Sequence, residues 1–200
     1  GEGSNSYEQT RAVFTIAEKL LHEAGLGITD VMRTWFYFPQ MERDYNGFNR
    51  ARREFFQSRS VKPIPASTGI GAGLVSPAHC IGLGFYAARG TGLERTVMKT
   101  PMLNEAPEYG ADFSRGMRIE ESNRTSLHVS GTASLDKTGA TVHYGDFDAQ
   151  VDRMLVNVAS LLEGQGAGFG NIVSAITYVK QPEDALRLRS RFEAVGYAGF

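Results

Sequence analysis

One alternating segment, residues 128–136, carries the polar side chains best placed to bind a small molecule. In a strand, every second residue lies on the same face. The shared face would hold His128, Ser130, Thr132, Ser134 and Asp136. An ordinary solvated face is the simpler interpretation, because antiparallel sheets commonly expose one polar side. Gly131 favours a binding site, since a glycine inside a strand often marks the close approach of a ligand or another backbone.

Two arginines, Arg115 and Arg118, offer a way to hold a carboxylate. The planar guanidinium group binds a carboxylate through two parallel hydrogen bonds. Their spacing places them on opposite faces of a strand, so only one of them can enter a given pocket. Solvation at the surface is the alternative for either side chain. Arg50, Arg52 and Arg53, on a charged helix, are interpreted as a solvated face or a subunit contact.

A glycine-rich stretch, residues 65–73, resembles a phosphate-binding loop only weakly. It lacks the Gly-Lys-Ser/Thr ending of such a loop and does not open a helix. The pattern favours a bent or bulged strand instead, with the Ser67 and Thr68 hydroxyls facing a cleft.

Several classes of function are disfavoured by the composition. Four scattered histidines without metal-ligand spacing predict no metal site, and no serine occupies a Gly-x-Ser-x-Gly turn. A formal net charge of −1 gives no global field for nucleic acid. No apolar stretch approaches the roughly 20 residues that span a bilayer. The lone Cys80 cannot form an intrachain disulfide, and we expect a cytoplasmic protein with no membrane partner.

The elements that would position these residues occur twice. A pattern beginning at Gln9 recurs without a gap 141 residues later, at Gln150. Each copy predicts an amphipathic helix, a glycine loop and a buried strand, at residues 31–38 and 172–179. A second helix follows each strand, over residues 43–57 and 183–194. Further strands are predicted at residues 65–73, 80–88, 112–119 and 127–135, with a hairpin turn at 136–139.

These residues resemble the YjgF/RidA superfamily, also called endoribonuclease L-PSP-like. The resemblance lies in the motifs GADFSRG at 110–116, VSGT at 129–132 and GDFDAQ at 145–150, and in the order of elements. Within it, PASTGIG at 65–71, EYG at 108–110 and SGTAS at 130–134 are similar to chorismatases. The implied α+β fold has two half-barrel copies, each a mixed, mostly antiparallel sheet with two helices on one face.

The resemblance also implies a domain division. Residues 1–92 would be a degenerate first copy without an opening hairpin, and residues 93–109 a connector. Residues 110–200 would be a second copy whose closing strands are missing. The family assembles as homotrimers with pockets between copies, and we expect the same here, with no cofactor.

In the imine and enamine deaminases of the superfamily, the pocket positions correspond here to Phe113, Ser130 with Gly131, and Asn49. The family's arginine and cysteine positions hold Ala66 and Thr68, and its acidic position lies near Gly82 or Gly84. These departures count against deaminase chemistry in the first copy.

In chorismatases the resemblance implies hydrolysis of a carboxylated enol ether by a protein carboxylic acid, with arginines holding the substrate. We expect an exposed Arg115 to be the carboxylate clamp, with Tyr178 and Thr132 as hydrogen-bond donors. The acid would lie beyond Phe200, so the catalytic residues are not identified. The alternatives are an imine deaminase and a non-catalytic trimer that binds a small carboxylate metabolite.

Overall fold

A computed structural model describes residues 5–197, and its secondary structure mixes helices with short strands. The helices are α1 (Ser6–Glu23), α2 (Met41–Ser58), α3 (Phe147–Glu163) and α4 (Asp184–Ala194). The strands are β1 (Val31–Phe38), β2 (Ala66–Gly71), β3 (Gly82–Ala87), β4 (Glu94–Val97), β5 (Gly116–Glu121) and β6 (Arg124–Val129). The predicted α+β class is confirmed, and in the described residues no helix is both long and apolar enough to cross a membrane.

The chain divides into two compact units that do not follow the sequence in a simple way. One unit contains the residues up to Val97 together with Ala106–Gly131, and the other contains Met98–Glu105 together with the chain from Thr132 onward. The hairpin of β5 and β6 therefore packs with the first unit. The predicted domain boundaries at residues 92 and 109 were drawn from the sequence repeat, and they stay a prediction.

In the first unit, β1 is the central strand of a three-stranded sheet. It pairs in parallel with β2 and antiparallel with β3, while β4, β5 and β6 form a second, antiparallel sheet. The run VMRTWFYF has the β-branched and aromatic composition that favours a strand covered on both faces. The predicted strand at residues 31–38 is confirmed.

Both helices of the first unit cover one face of β1. Phe36 and Phe38 of the strand pack against Phe14 of α1 and against Phe48 and Phe56 of α2. The Phe14 and Phe36 rings meet edge to face at 5.9 Å, and the Phe36 and Phe48 rings lie 4.6 Å apart. Such pairs contribute beyond the area they bury, so this aromatic core holds α1, α2 and β1 together.

Buried hydroxyl groups join the hairpin to β2. The Ser67 backbone N–H donates to Ser130 Oγ at 2.9 Å, and that hydroxyl donates to the Ser114 carbonyl at 2.5 Å. Thr34 Oγ1 donates to Ser67 Oγ at 2.9 Å. The Gly131 N–H also donates to the Ser67 carbonyl at 3.0 Å. We call Thr34, Ser67, Ser114 and Ser130 the hydroxyl network.

The second unit is built around α3 and α4. Val151 and Leu155 pack against Leu188 and Phe192 in an apolar cluster. Fully buried Asn157 donates through Nδ2 to the Ala133 and Leu135 carbonyls, at 3.1 and 3.0 Å. The predicted turn at residues 136–139 is present, with Asp136 Oδ1 accepting the Thr138 and Ala140 N–H groups.

The strand predicted at residues 172–179 is wrong, because this run has no strand partner in the described chain. Val173 is 99% exposed and Ile176 72% exposed. A strand needs a neighbour for its backbone groups, and β5 and β6, which precede this run in sequence, belong to the first unit. The predicted strand at residues 127–135 also ends early, at Val129.

We predict that Ser130→Ala lowers the free energy of unfolding of the first unit by about 1–3 kcal/mol. The substitution leaves the buried Ser67 N–H without its acceptor, which costs roughly this much. Urea unfolding of the variant measures the change. Ser126→Ala, in the preceding strand β6, is the matched control and should change stability by no more than about 0.5 kcal/mol. Equal effects from both variants would contradict a linking role for the Ser130 hydroxyl.

Candidate functional site

Two guanidinium groups and two aromatic rings form the candidate site in the first unit. Arg52 lies on α2, whereas Tyr109, Phe113 and Arg115 lie in the segment before β5. The guanidinium carbons of Arg52 and Arg115 lie 5.6 and 5.5 Å from the centre of the Phe113 ring. Arg115 also lies 5.2 Å from the Tyr109 ring. We call these four residues the arginine–aromatic cluster.

Arg52 is the most unusual member of the cluster, because it is a buried cation with an incomplete set of partners. Only 2% of the residue is exposed, and one terminal nitrogen donates to Asn49 Oδ1 at 2.7 Å. Its Nε has no hydrogen-bond partner. No carboxylate within the described residues forms an ion pair with it, although the Phe48 ring lies 4.5 Å away. A buried charge with a free donor is expensive unless something compensates it.

Burial lowers the pKa of Arg52 to about 10. The side chain therefore stays protonated near neutral pH and keeps its positive charge inside the cluster. Desolvation raises the pKa of Tyr109, and the two arginines oppose that rise only in part. The Tyr109 phenol thus keeps its proton and acts as a hydrogen-bonding group, not as an acid. An anionic oxygen is the ligand that this combination favours.

The segment that carries Tyr109 and Phe113 is fixed against α2 by Arg53. Its Nε donates to Asp112 Oδ2 at 3.0 Å, and a terminal nitrogen donates to the Gly110 carbonyl. Gly110 has a φ of +90°, a conformation that side chains disfavour. Asp112 is thereby paired with Arg53 and forms no ion pair with Arg52.

The expectation that Arg115 is exposed on a strand is wrong. The residue lies just before β5 and is 2% exposed. The pairing of Ser114 with Ala66 and the stacking on Tyr109 and Phe113 draw the side chain inward. Arg118 is the arginine that lies within β5, where it pairs with Glu120 at 2.6 Å. The two arginines therefore do not share one strand, although their predicted placement on opposite strand faces required that.

Only some of the predicted ligand-binding residues meet at the cluster. Phe113 and Arg115 are members, and Asn49 supports Arg52 while donating to the Tyr45 carbonyl at 3.0 Å. The expected cleft-facing hydroxyl of Ser67 is wrong, because Ser67 is 5% exposed and belongs to the hydroxyl network with Ser130. Thr132 and Tyr178 belong to the second unit, and Tyr178 is half exposed.

Arg52 was interpreted from sequence as a solvated or subunit-contact residue, and that interpretation is wrong. Phe48 and Arg52 are four residues apart, so they share one face of α2, and Phe48 belongs to the core. That spacing was the available signal. Tyr109 lies inside the EYG motif at 108–110, and the motif alone predicts no role for its side chain.

Gly131 lies where two backbones approach closely. A Cβ atom at this position would lie 2.9 Å from Thr68 Cγ2 and 3.3 Å from Thr68 Cα. The glycine thus allows the backbone of β2 to approach closely. Close approach of another backbone was one of the two expectations for this position. Thr68 itself accepts a hydrogen bond from Arg33.

No group of three or more histidine, cysteine, aspartate or glutamate side chains able to hold a metal occurs in the described part of the chain. Within the arginine–aromatic cluster, the two guanidinium groups are donors only and cannot ligate a metal ion.

Comparisons with known proteins agree with this architecture. A family model described as Endoribonuclease L-PSP matches residues 2–88 and 103–193. A chorismatase of Streptomyces rapamycinicus is 29% identical over 185 residues, which cover 84% of this chain and 53% of that protein. A crystal structure of a chorismatase superposes with a TM-score of 0.77 at 24% identity, covering all of this chain and 65% of that one. The chain thus spans about half the length of the curated relative it matches.

We predict that Gly131→Ala lowers the free energy of unfolding by about 1–3 kcal/mol, since the new methyl group overlaps Thr68. Thr68→Ser removes the methyl group nearest to the overlap. In the double variant the two losses should therefore sum to less than their separate values. Urea unfolding of the two single variants and the double variant measures this coupling. Strict additivity would show that the glycine is not needed for contact with Thr68.

Proposed function

The chain belongs to the Endoribonuclease L-PSP (YjgF) family, and from this premise we propose that it takes part in hydrolysing chorismate or a similar carboxylated enol ether. The observation that carries the proposal is that two buried guanidinium groups, those of Arg52 and Arg115, both lie against the Phe113 ring. The name of the 29% identical relative supports the choice of substrate.

The cluster suits a carboxylate for electrostatic reasons. The Nε–H of Arg52 has no hydrogen-bond partner. A carboxylate would satisfy this donor and the positive charge best, because its two oxygen atoms can accept two parallel hydrogen bonds. Burial lowers the effective dielectric constant, so each contact is stronger than it would be in water. Phe113 and Tyr109 supply flat surfaces against which an unsaturated ring can pack.

Hydrolysis of the enol ether also needs a proton at a weakly basic carbon or oxygen atom. The arginines cannot deliver it near neutral pH, and the raised pKa of Tyr109 makes its phenol a poor acid. In this proposal the cluster binds and orients the substrate, while a carboxylic acid outside the cluster supplies the proton. Water then adds to the protonated enol ether, the bond between the ether oxygen and the former enol carbon breaks, pyruvate leaves, and the ring keeps the ether oxygen as a hydroxyl group.

The direct test is to incubate the protein with chorismate and to measure pyruvate with a coupled lactate dehydrogenase assay. Pyruvate above background supports the proposal. If the folded protein binds chorismate without releasing pyruvate, hydrolysis is overturned and the metabolite-binding alternative is favoured. Faster ammonia release from amino-acid-derived enamines, without pyruvate release, would favour the deaminase.

We predict that Arg115→Lys weakens chorismate binding by about 10- to 150-fold, since a hydrogen bond to a charged group contributes about 1.5–3 kcal/mol. Lysine keeps the charge but loses the paired geometry. Isothermal titration calorimetry measures the dissociation constant. Arg118→Lys, three residues further on, is the matched control and should bind as the parent protein does. Equal losses in both variants would remove Arg115 from the site.

Arg52→Met should separate binding from stability. We expect its melting temperature to equal or exceed that of the parent, because replacing a poorly compensated buried charge with an apolar side chain is often neutral or stabilising. Chorismate binding should weaken at least tenfold. Arg50→Met, on the exposed side of α2, is the control for both measurements. Unchanged chorismate affinity in Arg52→Met would show that Arg52 is not a substrate contact.

A further inference from the structure

Two neighbouring residues of α2 contact two neighbouring residues of the segment before β5. The guanidinium carbon of Arg52 lies 5.6 Å from the centre of the Phe113 ring. Arg53 donates to Asp112, which precedes Phe113 in the chain. Successive residues of a helix point about 100° apart, so the two guanidinium groups leave α2 in different directions. Arg52 enters the arginine–aromatic cluster, whereas Arg53 lies at its edge.

Arg53 binds the segment through two separate acceptors. Its Nε donates to Asp112 Oδ2 at 3.0 Å, and a terminal nitrogen donates to the Gly110 carbonyl. The Asp112 side chain is only 13% exposed, whereas that of Arg53 is 42% exposed. A mostly buried carboxylate needs a cationic partner, because an unpaired charge in such surroundings is costly. Arg53 is the partner that Asp112 has in this structure.

Arg52 is the cation to which Asp112 could turn instead. Burial is the main cause that lowers the pKa of Arg52, and the negative charge of Asp112 is among the groups that raise it. Asp112 therefore lies near enough to act on Arg52, although the two side chains form no ion pair. The Nε of Arg52 has no hydrogen-bond partner. A carboxylate that moved from Arg53 to Arg52 would fill that donor from within the chain.

We propose that Arg53 is a positioning residue, which holds the Asp112 carboxylate away from Arg52 and thereby leaves Arg52 to an anionic substrate. This role rests on the proposed function, in which Arg52 binds a substrate carboxylate. Without the Arg53 guanidinium, Asp112 loses its cationic partner and pairs with Arg52. An acceptor in the same chain has a high effective concentration, so it competes strongly with a substrate in solution.

A purely structural role for Arg53 predicts a different pattern of effects. If the ion pair only ties the segment to α2, loss of either partner loosens the segment, and the two partners are equivalent. In the positioning role the two partners are opposed. Loss of the Arg53 charge weakens substrate binding, whereas loss of the Asp112 charge removes the competitor.

The test measures chorismate binding to three variants by isothermal titration calorimetry. We expect Arg53→Gln to weaken binding by at least about tenfold, which corresponds to one hydrogen bond to a charged group. Asp112→Asn, and the double variant with Arg53→Gln, should both bind within about threefold of the parent protein, because neither contains the competing carboxylate. A double variant as weak as Arg53→Gln would overturn the proposal, and so would unchanged affinity in Arg53→Gln.

Arg59→Gln is the matched control for the loss of an arginine from α2. Arg59 also ties α2 to another element by an ion pair, with Glu18 of α1 at 2.6 Å. Its side chain is about as exposed as that of Arg53. It lies at the C-terminal end of α2, so we expect Arg59→Gln to leave chorismate binding unchanged. Equal losses in Arg59→Gln and Arg53→Gln would assign the effect to the stability of α2 and overturn the positioning role.

A second measurement needs no ligand and separates this role from the proposed function. Arg52→Met is expected to be neutral or stabilising in the parent protein. In the Arg53→Gln background it should instead lower the urea midpoint, because it removes the cation with which Asp112 has paired. The same effect of Arg52→Met in both backgrounds would overturn the positioning role. If the parent binds no chorismate but the midpoints differ in this way, the proposed function fails, while Arg53 still keeps Asp112 from Arg52.

Discussion

The hydrogen bonds between the hairpin and β2 are the constraint on which most of this structure depends. Ser130 Oγ accepts a hydrogen bond from the Ser67 N–H and donates one to the Ser114 carbonyl, and all three residues are buried. A buried polar group without a partner is costly, so these contacts fix the hairpin in one register. Because the hairpin is fixed, the segment from Tyr109 to Arg115 that leads into it comes to lie against α2.

The consequence for function is that two arginines from distant parts of the chain meet at one ring. Neither would be buried alone, since the cost of desolvating a guanidinium group is several kcal/mol. Aromatic faces, the Asn49 amide and the fixed backbone offset part of that cost. In the proposed function, a bound carboxylate would offset the rest of that cost. Affinity in such a site comes from an environment organised before the ligand arrives.

The central strand β1 gives the first unit two chemically different faces. Alternation sends Phe36 and Phe38 into the aromatic core and Arg33 and Trp35 to the other side. The strand thereby supports the arginine–aromatic cluster from its core face, through the packing of Phe36 beneath Arg52.

The sequence by itself determined the α+β class, the helices of both copies and the strand β1. These follow from periodicity, which is a local property of the chain. It also singled out Phe113 and Arg115, because their motif is short and contiguous. Tertiary structure decided the rest. Whether Arg52 is solvated or buried depends on what α2 packs against, and whether residues 172–179 form a strand depends on where a neighbouring strand lies. The hairpin's place in the first unit is a long-range hydrogen-bonding choice that no local pattern encodes.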